Sequence, residues 1–175
     1  GYNSFRKGQY EIISNILRGR DSFCILPTGA GKSICYQIPA LMFNGITIVI
    51  SPLISLMKDQ VDNLNSNGIN ARYINSTQKL EVSDEIIELC KKGEVKLLYI
   101  APEKLENEFF KRKLRLLNIS QIAIDEAHCV SMWGHDFRKS YGLIAEFIDN
   151  LRIRPVVTAF TATATERVKQ DIMGS

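Results

Sequence analysis

Short runs of β-branched and aliphatic residues recur along the 175-residue chain, at 22–26, 46–50, 71–74, 96–100, 121–124 and 156–160. Most are continuously apolar rather than alternating, which is how strands buried on both faces of a parallel sheet read. Parallel neighbours need long crossovers, and helical spacing fills the gaps. At 9–18, Ile12, Ile13, Ile16 and Leu17 mark one apolar face, and at 82–92 Ile86, Leu89 and Cys90 do so beneath a highly charged opposite face. Segments 105–117 and 141–151 repeat the pattern. Strand followed by helix, over and over, predicts an α/β fold: a mostly parallel central sheet flanked by helices on both faces, joined by right-handed crossovers.

Composition removes other classes. With 45% hydrophobic and 23% charged residues the chain is neither a disordered tail nor a fibre. Its length is that of one domain, which buries roughly 70% of its unfolded surface and needs no disulfide or zinc staple. No apolar run approaches the roughly 20 residues of a membrane span, and Arg6, Lys7 and Glu11 interrupt any signal-like stretch. Cys24, Cys35, Cys90 and Cys129 form no CxxC pair and no metal-ligand spacing, so they read as reduced, partly buried thiols of a cytosolic or nucleoid protein. A net charge of +3 permits a nucleic-acid partner without demonstrating one. There is no internal repeat and no linker. Residues 1–173 are expected to be one domain, with Gly174-Ser175 a cloning scar on an excised piece.

After the first apolar run comes Pro27-Thr28-Gly29-Ala30-Gly31-Lys32-Ser33, then a helical segment at 34–43 in which Pro39 should bend or shorten the helix. This strand–loop–helix context is the one a phosphate-binding loop requires. Gly29 and Gly31 let successive N–H groups turn inward toward phosphate oxygens. The helix start adds its positive dipole end, Lys32 brings a mobile charge to the β- and γ-phosphates, and Ser33 supplies a hydroxyl for Mg²⁺. The strict pattern begins with a glycine where this chain has Leu26, a departure shared by one large branch of nucleotide-driven motors.

The run at 121–124 ends in Asp125-Glu126-Ala127-His128. Adjacent carboxylates at the carboxyl end of a buried strand sit where open α/β folds bind ligands. Their mutual repulsion calls for a cation. Asp125 is suited to hold Mg²⁺, often through water, and Glu126 to polarise the water that attacks the γ-phosphate. Alone the tetrapeptide could be a solvated turn or helix cap; together with Lys32 it specifies an ATPase.

In that setting the whole chain closely resembles the first, RecA-like motor domain of RecQ-family DNA helicases, within helicase superfamily 2. Tyr2 and Phe5-Arg6-Lys7-Gly8-Gln9 resemble the family's adenine-recognition motif, which implies that Gln9 reads the adenine edge, Tyr2 stacks on the base and Arg6 assists. The segment from Ser51 through Lys58 to Gln60 resembles motif Ia, and Ala101-Pro102-Glu103 resembles motif Ib; the resemblance implies sequence-independent contacts with a single strand's backbone. Read without it, both are helix caps. Cys129 to Arg138 is similar to the family's aromatic-rich loop, in which Trp133 and Phe137 would stack on unpaired bases, Arg138 would meet phosphate or a ring, and His135 would face the nucleotide. The plainer alternative is that Trp133 and Phe137 fill core. Phe160-Thr161-Ala162-Thr163-Ala164 resembles motif III, whose hydroxyls link the nucleotide and DNA sites. Lys111-Arg112-Lys113 with Arg115 is a basic cluster, read as a solvated helix face.

The resemblance implies ATP and Mg²⁺ as cofactors, and single-stranded and partly duplex DNA as partner. It also implies a second RecA-like lobe of the same parent chain, which supplies the transition-state arginines. The parent would be a 3′-to-5′ helicase of repair and recombination, and these residues alone would be nearly inactive. Its location would be cytoplasm or nucleoid in a bacterium and nucleus in a eukaryote, with no membrane. An RNA-directed superfamily 2 helicase and a P-loop nucleotide-binding module or kinase remain as alternatives.

Overall fold

The computed structural model of the chain describes residues 4–27, 29–131 and 138–174. Six strands, β1 (Ser22–Ile25), β2 (Ile46–Ile50), β3 (Ala71–Ile74), β4 (Leu97–Ile100), β5 (Ile119–Ile124) and β6 (Val156–Thr161), form one sheet in the order β1-β6-β5-β2-β4-β3. Every neighbouring pair is parallel. One face is covered by α1 (Gln9–Leu17), α2 (Lys32–Met42) and α3 (Ile54–Ser66), the other by α4 (Leu80–Lys91), α5 (Glu108–Arg115), α6 (Gly142–Asp149) and α7 (Glu166–Gly174).

The pleat explains the continuous apolar runs. Ile46, Ile48, Ile50, Leu98, Ile100, Ile122 and Ile124 point into the core beneath α4, α5 and α6. Val49, Leu97, Tyr99, Ala123 and Phe160 point into the core beneath α2 and α3. Successive residues of one strand thus serve opposite cores, so both positions favour apolar side chains. Buried Gln121 is held there by donating its amide to the Tyr36 carbonyl (3.0 Å) and the Thr47 hydroxyl (3.1 Å).

The connectivity runs outward from β1 through α2 to β2 and through α3 to β3, then returns through β4, β5 and β6. Right-handed crossovers put outbound helices on one face and returning helices on the other. Neighbouring strands β1 and β6 therefore send their following segments to opposite faces, which opens a crevice at their carboxyl ends.

Local departures from expectation have local causes. Residues 105–117 are not one helix: a 3₁₀ turn over Pro102–Glu106 is followed by Asn107, whose side chain caps α5 by accepting from the Phe110 N–H (3.0 Å). The basic cluster is not a solvated face. Lys111 is buried, bonded to Glu108 (2.9 Å) and to Glu146 of α6 (3.3 Å), while Lys113 pairs with Asp84 (2.5 Å). α2 continues past Pro39 to Met42. All four cysteines are buried, and burial pushes the Cys24 and Cys90 thiols up to about 12.

Candidate active site

The turn between β1 and α2 is anchored at both ends. The Leu26 N–H donates to the Thr161 carbonyl of β6 (3.0 Å), and the Ala30 N–H closes the turn on the Pro27 carbonyl (3.0 Å). Gly29 (φ 79°) and Gly31 (φ 81°) take left-handed conformations that other residues enter only at a cost. Gln9, only 3% exposed, lies behind the turn. Its amide donates to the Ala30 carbonyl (3.3 Å) and the Gly31 carbonyl (3.1 Å), and its oxygen accepts from the Arg6 N–H (2.7 Å). The Arg6 guanidinium donates to the Gly29 carbonyl. In a planar trans peptide the N–H points opposite to the C=O, so holding these carbonyls toward Gln9 aims the Gly31 and Lys32 N–H groups the other way. Gln9 and Arg6 thereby brace the phosphate loop.

The acidic pair forms where β5 ends. The Asp125 N–H donates to the Ile50 carbonyl of β2 (2.9 Å), which continues the ladder by one residue. Glu126 then turns sharply, with φ 52°, the one positive value among described residues other than glycine. Its N–H donates to Asp125 Oδ1 (3.0 Å), and the Tyr141 hydroxyl donates to the Asp125 carbonyl oxygen (2.8 Å). Lys32 reaches across from α2, its Nζ 3.8 Å from Asp125 Oδ1 and 3.8 Å from Glu126 Oε1. Burial holds the Asp125 carboxyl above its ordinary value; Lys32 opposes the shift and the Glu126 charge adds to it. Among the described residues one ammonium serves two adjacent carboxylates.

β6 lies between these halves. His128 Nδ1 is 2.9 Å from the Thr161 hydroxyl and 3.3 Å from Glu126 Oε2. The Thr161 hydroxyl donates to the Thr163 carbonyl (2.9 Å), which commits its hydrogen and assigns the proton at this contact to His128 Nδ1. His128 therefore joins the carboxylate turn to the end of β6.

Lys32, Asp125, Glu126, His128 and Thr161 are thus one contiguous cluster, with Pro27, Gly29, Ala30 and Gly31 forming its loop and half-exposed Ser33 one residue beyond Lys32 on α2. Ala127 is buried in the core under the turn, and Thr163 is exposed. Ser51 and Ala101 follow β2 and β4 on the same sheet edge, tied by the Ser51 N–H to the Ile100 carbonyl (3.1 Å). Ser51 and Pro102 are buried, Glu103 is exposed, and Lys58 projects from an exposed position of α3. Arg138 pairs with Glu103 (3.3 Å) and donates its N–H to the Cys129 carbonyl (3.0 Å). Tyr2, Thr28, Trp133, His135 and Phe137 lie outside the described residues. Sequence reasoning missed Tyr141, which belongs to no motif and shows only as one apolar position before α6.

A family model described as DEAD/DEAH box helicase matches residues 6–172. The chain is 56% identical to the ATP-dependent DNA helicase RecQ of Bacillus subtilis over 173 residues, which are 98% of this chain and 29% of that protein. It is 51% identical to the RecQ of Haemophilus influenzae over 177 residues, 99% of this chain and 28% of that one. The chain therefore spans under a third of the length of these relatives. Among solved structures, the DUF1998 helicase MrfA bound to DNA superposes with a TM-score of 0.82 at 19% identity, over all of this chain and 27% of that one. The Hef helicase domain of Pyrococcus furiosus does so at 0.73 and 20%, over 97% of this chain and 35% of that one. At such identities the structural matches speak to fold, which is the RecA-like fold of helicase domains. With the family model spanning nearly the entire chain and RecQ enzymes identical at half its positions or more, the chain belongs to the DEAD/DEAH box helicase family and is a RecQ-type motor domain within it.

Proposed function

We propose that this chain is the ATP-binding lobe of a DNA helicase that hydrolyses ATP to move 3′-to-5′ along single-stranded DNA and separate the duplex, in repair and recombination. The observation that carries the reading is the position of Lys32, 3.8 Å from both Asp125 and Glu126 at the carboxyl ends of β1, β6 and β5. A loop of inward N–H groups with a lysine, facing a carboxylate pair, binds a triphosphate and offers a base in the same place.

The donor set fits Mg²⁺. No group of three or more His, Cys, Asp or Glu side chains among the described residues forms a protein cage, whereas Mg²⁺ prefers one or two protein oxygens completed by phosphate and water. The Asp125 carboxylate and Ser33 hydroxyl would hold it, where it would neutralise charge on the phosphates. The adjacent carboxylates beside Lys32 favour such a cation. Lys32 then exchanges carboxylate partners for β- and γ-phosphate oxygens, and Glu126 orients and polarises the attacking water. Tyr2, Arg6 and Gln9 are proposed to hold adenine. For Gln9 this means exchanging a loop carbonyl for the base, so adenine binding and loop bracing draw on one amide.

Ser51, Lys58, Pro102, Glu103, Arg138, Thr161 and Thr163, with Trp133, His135 and Phe137, are proposed to form the DNA-side surface and its coupling to the nucleotide. A second RecA-like lobe of the parent chain completes the cleft and supplies the arginines. An arginine finger is worth roughly 10³–10⁵ in turnover, so residues 1–173 alone should hydrolyse ATP poorly. Cytoplasm or nucleoid in a bacterium, or nucleus in a eukaryote, is the corresponding location.

The deciding measurement is phosphate release by the full-length parent with and without single-stranded DNA, with single-stranded RNA as comparison. DNA should stimulate release and RNA should not. Lys32→Ala should abolish turnover, and Glu126→Gln should abolish it while still binding nucleotide. A Lys32→Ala enzyme turning over normally would end this reading.

A further inference from the structure

We infer that Tyr141 is a positioning residue for the Asp125–Glu126 carboxylates, locking the peptide between them and linking it to the chain at Arg138. The inference rests on the ATPase reading above for its kinetic consequences, but its structural basis stands apart.

Tyr141 is 1% exposed, and its hydroxyl donates to the Asp125 carbonyl oxygen at 2.8 Å, sixteen residues away in sequence. That carbonyl belongs to the same peptide plane as the Glu126 N–H, which itself donates to Asp125 Oδ1 at 3.0 Å. Both ends of the plane are therefore tied. Rotation of this plane changes ψ of Asp125 and φ of Glu126 together, and φ of Glu126 is 52°. A glutamate holds a left-handed conformation only when its surroundings over-determine it. Freed from the hydroxyl, the plane can rotate back toward an ordinary φ and carry the Glu126 carboxylate away from Lys32, now 3.8 Å from it.

The same residue is tied to the segment beyond the acidic motif. The Tyr141 N–H donates to the Arg138 carbonyl (3.0 Å), and the Arg138 N–H donates to the Cys129 carbonyl (3.0 Å). Displacement of Arg138 is thereby transmitted to the Glu126 peptide through one side chain. Tyr141 also borders a cavity of about 360 Å³, lined among others by Ala127, Ile144, Ile148 and Ile172.

The test is Tyr141→Phe in the full-length protein, which keeps the ring and deletes the donor. Hydrogen exchange of amides 125–130 in the nucleotide-free protein should quicken by about tenfold or more, with amides of α4 and α5 unchanged. DNA-stimulated kcat should fall by about ten- to a hundredfold, the cost of misplacing a catalytic group by about an ångström, while KM for ATP and DNA affinity stay within about threefold. In a Glu126→Gly background, where a left-handed φ carries no penalty, the exchange effect of Tyr141→Phe should largely vanish. Unchanged local exchange with unchanged kcat would overturn the role of Tyr141. So would a uniform rise in exchange across the sheet with kcat and KM worsening together, the mark of general destabilisation. A wild type lacking DNA-stimulated ATPase would overturn the functional reading, and the exchange data would still decide whether Tyr141 holds the turn.

Discussion

Gly31→Ala probes the support behind the phosphate loop. At φ 81° an alanine pays about 1–2 kcal/mol for its left-handed backbone. Its Cβ would also stand 2.4 Å from the Gln9 side-chain nitrogen, so that amide must move. Moving it breaks the bonds to the Ala30 and Gly31 carbonyls (3.3 and 3.1 Å), each worth about 0.5–1.5 kcal/mol net. The smaller unfolded-state entropy of alanine returns about 0.4–1 kcal/mol. The expected loss is about 1.5–4 kcal/mol, read as a fall in urea midpoint at constant m-value. Gln9→Ala removes the obstructing amide and the bonds in advance. In that background Gly31→Ala should cost only its backbone terms, leaving a coupling of about 1–3 kcal/mol, the two lost bonds, in the double-mutant cycle. Additive costs within about 0.3 kcal/mol, or a single-mutant cost below about 0.5 kcal/mol, would refute the claim that Gln9 braces the loop.

Other expectations follow from named contacts. A Cβ on Gly45 would sit 2.4 Å from the Asn118 main-chain oxygen, which is pinned at 2.8 Å to the Ile46 N–H at the start of β2. Gly45→Ala should therefore cost about 1–3 kcal/mol by urea unfolding, with loss below about 0.5 counting against that close approach. The Asp21 carboxyl is pushed up by partial burial, but bonds from Arg154 (2.7 Å) and the Val157 N–H (2.9 Å) bring it net below its ordinary value. A carboxyl lowered on folding stabilises above its unfolded value, about 3.9, and loses that contribution as pH falls through the folded one. Asp21→Asn should thus cost up to about 1 kcal/mol at neutral pH, less in high salt because the pair is half exposed, with the difference disappearing below about pH 4. A pH-independent difference would show that charge is not its source. Asp125 shifts the opposite way, so Asp125→Asn without Mg²⁺ should raise thermal stability at neutral pH while removing turnover; a lowered midpoint would contradict the assigned burial cost.

Much of this architecture was legible because the two cores demand it. Short β-branched runs at consecutive positions such as Ile48, Val49 and Ile50 point to strands covered on both sides, and from that a parallel sheet follows. That the loop ending in Lys32 faces Asp125 and Glu126 is legible because the proposed phosphate chemistry needs fixed residue types at fixed spacing. The helix α3 shows in the sequence as a motif and a helix cap but not by periodicity, because Leu53, Ile54 and Leu56 are exposed at its start and blur its apolar stripe. Lys111 looks solvated in the sequence because only Glu108 is near it on its own helix; Glu146, thirty-five residues away on α6, is brought to it by the fold. Tyr141 escaped notice for the same reason: the group it serves is a main-chain carbonyl, which leaves no mark on residue type. The bracing role of Gln9 was hidden likewise, since its loop partners are carbonyls as well.

The interposed strand β6 has a consequence for how such a domain can vary. Because β1 and β5 flank it, two strand spacings, about 9–10 Å, separate the backbone carrying the loop from the backbone carrying the carboxylates. The hydrogen-bond ladder thus works as a gauge that no side chain can reset. Loop lengths and outer helices are free to drift, but inserting or deleting a strand here would widen or shut the gap by a whole spacing, beyond the reach of Lys32 or any substitute for it.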